Sequence, residues 1–290
     1  MIQFMRSNVI IKIIYREDLM GDIVMTEKYN GYVIYTDLDG TLLNDKKEVS
    51  PENRKAIEHF IKNGGKFSIA TGRAFEATEK YIKGLKIDIP SIVYNGGMIY
   101  DSNMRKAVKE YILENKKKEV VYKLVKDYSC LGIEIYCNKD IYIFNDSGKS
   151  ERPATILLNR IYEIPENLFD LKWNKILLVG NKEFMDELQE VFKDKYKIDV
   201  TRSGNEFLEI LPDGASKGQA LKEIINLYNL DKNKVIAVGD DMNDAEMLKE
   251  CGIAFCPQNA SEAVKTYADY ITVNNNIGVI AAIVNFLDNI

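Results

Sequence analysis

Residues 33–44 read VIYTDLDGTLLN, and the reading of this stretch decides the fold. Val33–Thr36, with Tyr32 ahead of it, is an unbroken apolar run of strand length, as expected for a strand covered on both faces. Two aspartates one residue apart follow at once, and Gly40 then turns the chain. Acids at a strand exit serve as turn formers, metal ligands or catalysts. What the remaining chain brings to the same place decides between them.

Outward from this strand, SPENRKAIEHFIKNGG (50–65) carries the grammar of a helix. Ser50 is placed as N-cap, Pro51 at the first helical position, Ile57, Phe60 and Ile61 on the apolar face, and Gly64-Gly65 as the stop. A strand KFSIA (66–70), a helix over about 74–85 and a strand SIVYN (91–95) come next. The alternation resumes with a helix over 217–228, a strand KVIAVG (234–239), a helix over 244–249 and a strand GIAFC (252–256). Such strand–helix alternation predicts an α/β fold with a Rossmann-like parallel sheet and right-handed crossovers.

Between these halves the pattern changes to period two. GIEIYCNKDIYIFNDSG (132–148) reads as a hairpin, followed by strand, helix, strand and strand from Trp173 to Leu211. An α+β domain inserted at 100–207 is therefore expected, leaving 30–99 and 208–290 as the core. In the hairpin, Ile133, Ile135, Ile141 and Ile143 are expected on one face under helices. Glu134, Tyr136, Tyr142 and Phe144 are expected on the other, as the roof of a pocket or as cross-strand pairs on an exposed sheet. In NKKKEVVYKLVK (115–126) the valines and Leu124 share a helical face and the lysines read as solvated surface. Lys175 reads the same way.

Composition removes several function classes. A net charge of −5 over 290 residues, with basic residues dispersed, gives no footprint for nucleic acid. His59 is the only histidine, and Cys130, Cys137, Cys251 and Cys256 form no CxxC pair, so neither a zinc site nor a histidine-dependent triad is expected. Irregular cysteine spacing fits a reducing, cytoplasmic setting. Residues 1–29 read as an extension of unassigned role. Its apolar run Val9–Tyr15 is interrupted by Lys12, too short to span a membrane and without a cleavage signal. No membrane partner is expected, and the chain reads as a monomer or weak homo-oligomer.

Ligands of an open parallel sheet bind beyond the carboxyl ends of its strands. Asp37, Asp39, Gly40 and Thr41 leave the first strand, Thr71, Gly72 and Arg73 the second, Asn95 and Gly96 the third. Asp240, Asp241, Asn243 and Asp244 follow the strand at 234–239, and Lys217 opens the preceding helix. Several carboxylates at one edge repel each other unless they share a cation. Oxygen ligands without histidine or cysteine favour magnesium over zinc. A hydroxyl, backbone N–H groups and a lysine suit the oxygens of a phosphoryl group.

DLDGTLL, ATGR, SKGQAL and GDDMNDAEML, in this order, resemble the four motifs of the haloacid dehalogenase-like hydrolases. The long insert after VYNGG resembles the class IIB cap of the Cof-type sugar-phosphate phosphatases. The resemblance implies Asp37 as nucleophile, forming an aspartyl-phosphate. It implies Asp39 as general acid and then base, also binding Mg2+ through its backbone carbonyl. Thr71 and Lys217 would hold the phosphoryl group, and Asp240 would complete the metal site with Asp244 and Asn243. Gly72, Arg73 and Asn95 are further candidates for contact with a small phosphorylated metabolite. As a general acid, Asp39 would need a pKa above that of a free carboxyl. Asp241 departs from the family pattern and reads as decoration of a helix N-terminus. NNNIGV (274–279) departs where relatives carry acids.

Two neighbouring readings share these residues: a phosphomutase or other phosphotransferase on the same scaffold, and a catalytically silent phospho-ligand-binding protein. A receiver module does not fit, because its adjacent acids would precede the phosphoacceptor strand and it has no inserted domain.

Overall fold

The computed structural model describes residues 27–148, 155 and 157–289. The apolar run noted at Val9–Tyr15 lies outside the described residues. In chain order the elements are β1 (Val33–Thr36), α1 (Pro51–Lys62), β2 (Lys66–Ile69), α2 (Phe75–Ile82) and β3 (Ser91–Val93). Next come β4 (Met98–Asp101), β5 (Lys106–Glu110), α3 (Asn115–Lys118), α4 (Val120–Asp127), β6 (Gly132–Cys137), β7 (Asp140–Asn145) and β8 (Asn159–Ile161). They are followed by β9 (Lys175–Val179), α5 (Lys182–Val191), β10 (Thr201–Arg202), β11 (Phe207–Ile210) and α6 (Lys217–Leu227). The chain closes with β12 (Val235–Val238), α7 (Ala245–Glu250), β13 (Ile253–Cys256), α8 (Glu262–Lys265), β14 (Tyr270–Ile271) and α9 (Val279–Asp288).

The core is a parallel sheet in the order β14-β13-β12-β1-β2. Its two faces explain the unbroken apolar runs. Ile34, Ile69, Ile236 and Val238 pack with α1 and α9 through Ile57, Phe60, Val279 and Ile283. Val33, Tyr35, Val235 and Ala237 pack on the other side with α6 and α7 through Leu221, Ile224, Met247 and Leu248. Sandwiched strands have no wet face, so alternation disappears. Ser50 caps α1 by accepting from the Asn53 N–H, with Pro51 as its first residue. The core begins before β1: Tyr29 is buried and its hydroxyl donates to Asp288 of α9.

β3 departs from the expected parallel strand. It joins β2 through the single bridge Ala70–Ile92 and otherwise pairs antiparallel with β4, which pairs with β5. The second large sheet has the order β10-β11-β9-β6-β7-β8, antiparallel except between β7 and β8. One face packs on α4 and α5 through Val121, Leu124, Met185 and Leu188. The other carries Tyr136, Ile141, Ile143 and Leu177 toward Phe75, Tyr94 and Met98.

The expected hairpin faces are corrected by register. Asn138 and Lys139 alone make the turn, Asn138 being left-handed at φ 56°, so Tyr136 pairs with Ile141 and Ile135 with Tyr142. Paired residues share a face, and this odd register puts Ile133, Ile135, Tyr142 and Phe144 under the helices. Ile141 and Ile143 instead join Tyr136 on the face toward the core. A shift of one residue exchanges the faces of a whole strand. The lysines of 115–126 also divide. Lys118 is buried, donating to the carbonyls of Phe169 and Leu171 at 2.9 and 2.8 Å.

Candidate active site

Beyond the carboxyl ends of the core strands lies a cavity of about 530 Å³. Asp37, Asp39, Thr71, Gly72, Arg73, Asp240 and Asn243 line it from below, and Tyr136, Lys175, Leu177, Ser203, Phe207 and Glu209 from the cap. Its floor is organised by Lys217, the first residue of α6, whose side chain has no solvent exposure. Its ammonium donates to Asp37 Oδ1 at 2.8 Å and to Asp244 Oδ1 at 2.6 Å. Burial alone would favour the neutral amine, but Asp244 and Asp37 together raise its pKa above the ordinary lysine value.

The remaining acids are fixed by local structure. Asp241 caps the 3-10 turn 242–244 and Asp244 reaches back to the N–H of Asp240 at 3.0 Å and of Asp241 at 3.3 Å. This is the helix-terminal role expected of Asp241. Asp240 accepts from the Thr41 hydroxyl at 2.7 Å, and a Cβ on Gly40 would meet its carboxylate at 2.3 Å. Only glycine, at φ 81°, lets the DLDG loop come so close to Asp240.

Asp37, Asp240 and Asp244 offer oxygens that all lie within 4.8 Å of one another, a spacing that fits a single divalent cation. Burial pushes the Asp37 carboxyl up to about 7 against the pull of Lys217, with Asp244 and Asp39 adding to the rise. Burial, then Asp37 and Asp244, pushes Asp240 up to about 8. Such crowding is what a shared cation relieves. The carboxylate of Asp39 is not among the three.

Asp39 differs from its expected state. Arg73 binds it through two nitrogens, Nε to Oδ2 at 2.6 Å and Nη2 to Oδ1 at 2.9 Å, and Lys47 Nζ reaches Oδ1 at 2.8 Å. Burial would raise its pKa, but the Arg73 hydrogen bonds and charge, then Lys47, bring it down to about 2. Without substrate, two cations solvate this carboxylate in place of water and favour its ionised form, opposite in direction to the raised pKa expected of a general acid.

Thr71 and Gly72 stand where expected, the Thr71 hydroxyl accepting from the Arg73 N–H at 3.2 Å. Asn95 does not line the cavity. It sits behind Asn243, accepting from Asn243 Nδ2 at 3.1 Å and donating to Glu209 at 2.8 Å. Tyr94, Asn95 and Gly96 all have positive φ, and a Cβ on Gly96 would lie 2.0 Å from the Ser216 carbonyl oxygen. The turn therefore presses against the start of α6. The NNNIGV segment ties back to the same loops: Asn275 Nδ2 donates to the Leu43 carbonyl at 3.0 Å.

Lys175 and Glu209 were missed as site residues. Both are buried, and Lys175 Nζ donates to Glu209 at 2.9 Å and to the Gly72 carbonyl at 2.9 Å. Their signal is a charge at an inward position of an otherwise apolar strand, KILLV and FLEI. Lys47, Tyr136 and Ser203 also line the cavity, and among the described residues no helix is long and apolar enough to cross a membrane.

A family model described as haloacid dehalogenase-like hydrolase matches residues 34–284. The Bacillus subtilis (strain 168) protein named 5-amino-6-(5-phospho-D-ribitylamino)uracil phosphatase YcsE is 29% identical over 255 residues, covering 87% of this chain and 94% of its own. A haloacid dehalogenase-like hydrolase from Bacteroides thetaiotaomicron has a TM-score of 0.75 at 29% identity, covering 88% of this chain and 99% of its own. The subclass IIB sugar phosphatase BT4131 shares the fold, with a TM-score of 0.77 at 20% identity over 89% of this chain and 100% of its own.

Proposed function

The chain belongs to the haloacid dehalogenase-like hydrolases and is a phosphatase by its relatives, and from that premise we propose a magnesium-dependent enzyme that hydrolyses small phosphorylated metabolites through an aspartyl-phosphate on Asp37. The observation that carries this reading is the convergence of Asp37, Asp240 and Asp244 within 4.8 Å of one another, with Asp37 and Asp244 both held by the buried ammonium of Lys217. In this reading the sequence-derived bounds, cap 100–207 between body segments 30–99 and 208–290, shift at their edges. The strands β4 and β5 stay with β3 in the body, β11 stays with β9 in the cap, and the extension 1–29 ends in Tyr29, which joins the core.

Asp37, Asp240 and Asp244 would hold Mg2+, which when bound neutralises charge between the nucleophile and a phosphate dianion. Asp37 attacks phosphorus, and the bond to the leaving oxygen breaks. Lys217 orients Asp37 through Oδ1 and keeps a fixed positive charge beside the reacting centre. Thr71, the Gly72 backbone and Asn243 surround the phosphoryl oxygens, and Arg73 offers a fork for the anion.

The geometry supports the second half of Asp39's role most directly. As a carboxylate it can take a proton from the water that cleaves the aspartyl-phosphate. Donating to the leaving group requires Arg73 and Lys47 to exchange Asp39 for the incoming phosphate, which competes for the same donors. The rings of Tyr136 and Phe207 and the hydroxyl of Ser203 suit a leaving group with both a ring and polar groups. A phosphorylated polyol carrying a heterocycle, as in the compound YcsE is named for, therefore heads the substrate panel.

The test is turnover of p-nitrophenyl phosphate with Mg2+, with EDTA, and by Asp37→Asn. Activity with Mg2+, lost in EDTA and in the variant, supports the reading; an active Asp37→Asn removes Asp37 as nucleophile. Release of inorganic phosphate without a bisphosphate activator distinguishes hydrolysis from a mutase.

A further inference from the structure

Lys175 and Glu209 stand on β9 and β11, neighbouring strands of the cap, on the face turned toward the catalytic body. Their side chains are 5% and 4% exposed, and the pair is closed by a 2.9 Å contact. Neither group ends at the pair. The ammonium also binds the Gly72 carbonyl at 2.9 Å and lies 4.9 Å from the centre of the Tyr136 ring. The second oxygen of Glu209 holds Asn95 Nδ2 at 2.8 Å, and Asn95 holds Asn243 at 3.1 Å.

Both ends of the pair thus leave the cap and grip the body. One end holds the loop that carries Thr71 and Arg73. The other holds the turn at 94–96 and, through it, the residue between Asp240 and Asp244. Asn95 is left-handed at φ 54°, ψ 34°, a conformation asparagine adopts readily, and the Glu209 carboxylate fixes its side-chain amide in that turn.

A buried ion pair is a poor device for stability alone, since apolar residues of similar volume often serve a sheet interior equally well. What apolar residues cannot do is hold a carbonyl and an amide in register. We propose that Lys175 and Glu209 are positioning residues, a two-ended latch through which the docked cap sets the Gly72 and Asn95 loops against Asp37. They act through those loops and not by touching the reacting atoms. The inference rests on phosphoryl transfer at Asp37, and a displacement of about 1 Å at such a loop lowers turnover by about 10²-fold.

The experiment compares Lys175→Met, the double variant Lys175→Met/Glu209→Leu and wild type, reading Tm together with kcat on p-nitrophenyl phosphate, too small to need specific cap contacts. Each single loss leaves an unpaired buried charge, so Lys175→Met is expected to lower both Tm and kcat. The double variant removes both charges and is expected to recover most of the Tm while kcat stays about 10²-fold low. Recovery of kcat along with Tm overturns the latch and leaves the pair a packing feature. Should the double variant not fold, Glu209→Gln, of the same shape, is assayed at a temperature where circular dichroism shows it native. A fall of about tenfold or more in kcat supports the latch, and wild-type kcat overturns it. Inactive wild-type enzyme, or an active Asp37→Asn, instead marks failure of the phosphatase reading itself.

Discussion

The catalytic body and the cap place their charged groups by different rules. In the body the acids and Lys217 stand at strand exits and at a helix start, where the chain turns and backbone N–H groups are available. In the cap, Lys175 and Glu209 stand inside strands, among Ile176, Leu177, Leu208 and Ile210, and each survives burial only because the other faces it. The body gathers like charges that need a cation; the cap pairs opposite charges that need none. In the proposed reading the first set carries the chemistry and the second aligns the two layers.

The comparison breaks first at Lys217. Lys217→Met leaves Asp37 and Asp244 buried without their common ammonium, and removing one partner of a buried pair costs about 3–5 kcal/mol. Denaturant unfolding in EDTA is expected to show that loss, and turnover should fall further than in any cap variant. A loss confined to stability would move the chemical role away from Lys217.

Gly96→Ala tests the joint between the turn at 94–96 and α6. The added methyl would sit 2.0 Å from the Ser216 carbonyl oxygen at φ 95°, a strained backbone costing about 1–3 kcal/mol before the clash is counted. Thermal unfolding should shift down by several degrees, with kcat falling because Lys217 follows Ser216.

A pH series sharpens the contrast between like and opposite charges. With metal removed, Asp37 and Asp240 titrate near about 7 and about 8 in the folded protein, against an unfolded value near about 4. Between these values the folded state binds more protons than the unfolded state, so stability falls as pH rises from about 4 through about 8. The expected result is a Tm in EDTA that is higher at pH 5 than at pH 8. The rise in Tm on adding Mg2+ should be larger at pH 8, because the cation replaces protons that are no longer there. A Mg2+ effect equal at both pH values would argue against those carboxylates as ligands.

The smallest effect is expected from Lys118→Met. This second buried cap lysine holds two carbonyls, those of Phe169 and Leu171, on the side away from the cavity. Its loss should cost about 1–3 kcal/mol of stability, the cost of leaving buried acceptors unmet, and leave kcat within about twofold of wild type. A large fall in kcat would show that any damage to the cap reaches the chemistry, and would weaken the special status of Lys175.

The body was legible because its signals are local. Ser50-Pro51 starts α1 where expected, and the acids after β1 and β12 stand at the exits their strands imply. The cap was legible as a layer but not in its details. Its hairpin register depends on a turn of two residues, and parity of the turn decides which side chains face inward. Lys175 looked like surface because a lysine near a strand end usually is, and only the opposing Glu209, Gly72 and Tyr136 reverse that. The ion pairs of Asp39 were not legible, because Arg73 arrives from the loop after β2 and Lys47 folds back within the Asp39 loop itself.

By itself the sequence determined the α/β framework, the inserted layer and the identity of the acids at the strand exits, since each follows from periodicity and turn chemistry within a few residues. Only the tertiary structure decided which charges meet. That Lys217 serves two acids, that Asp39 is clamped as a carboxylate, and that Lys175 and Glu209 hold the body's loops all depend on contacts between distant segments. Burial and proximity across the fold, not residue type, set the partners and protonation of those groups.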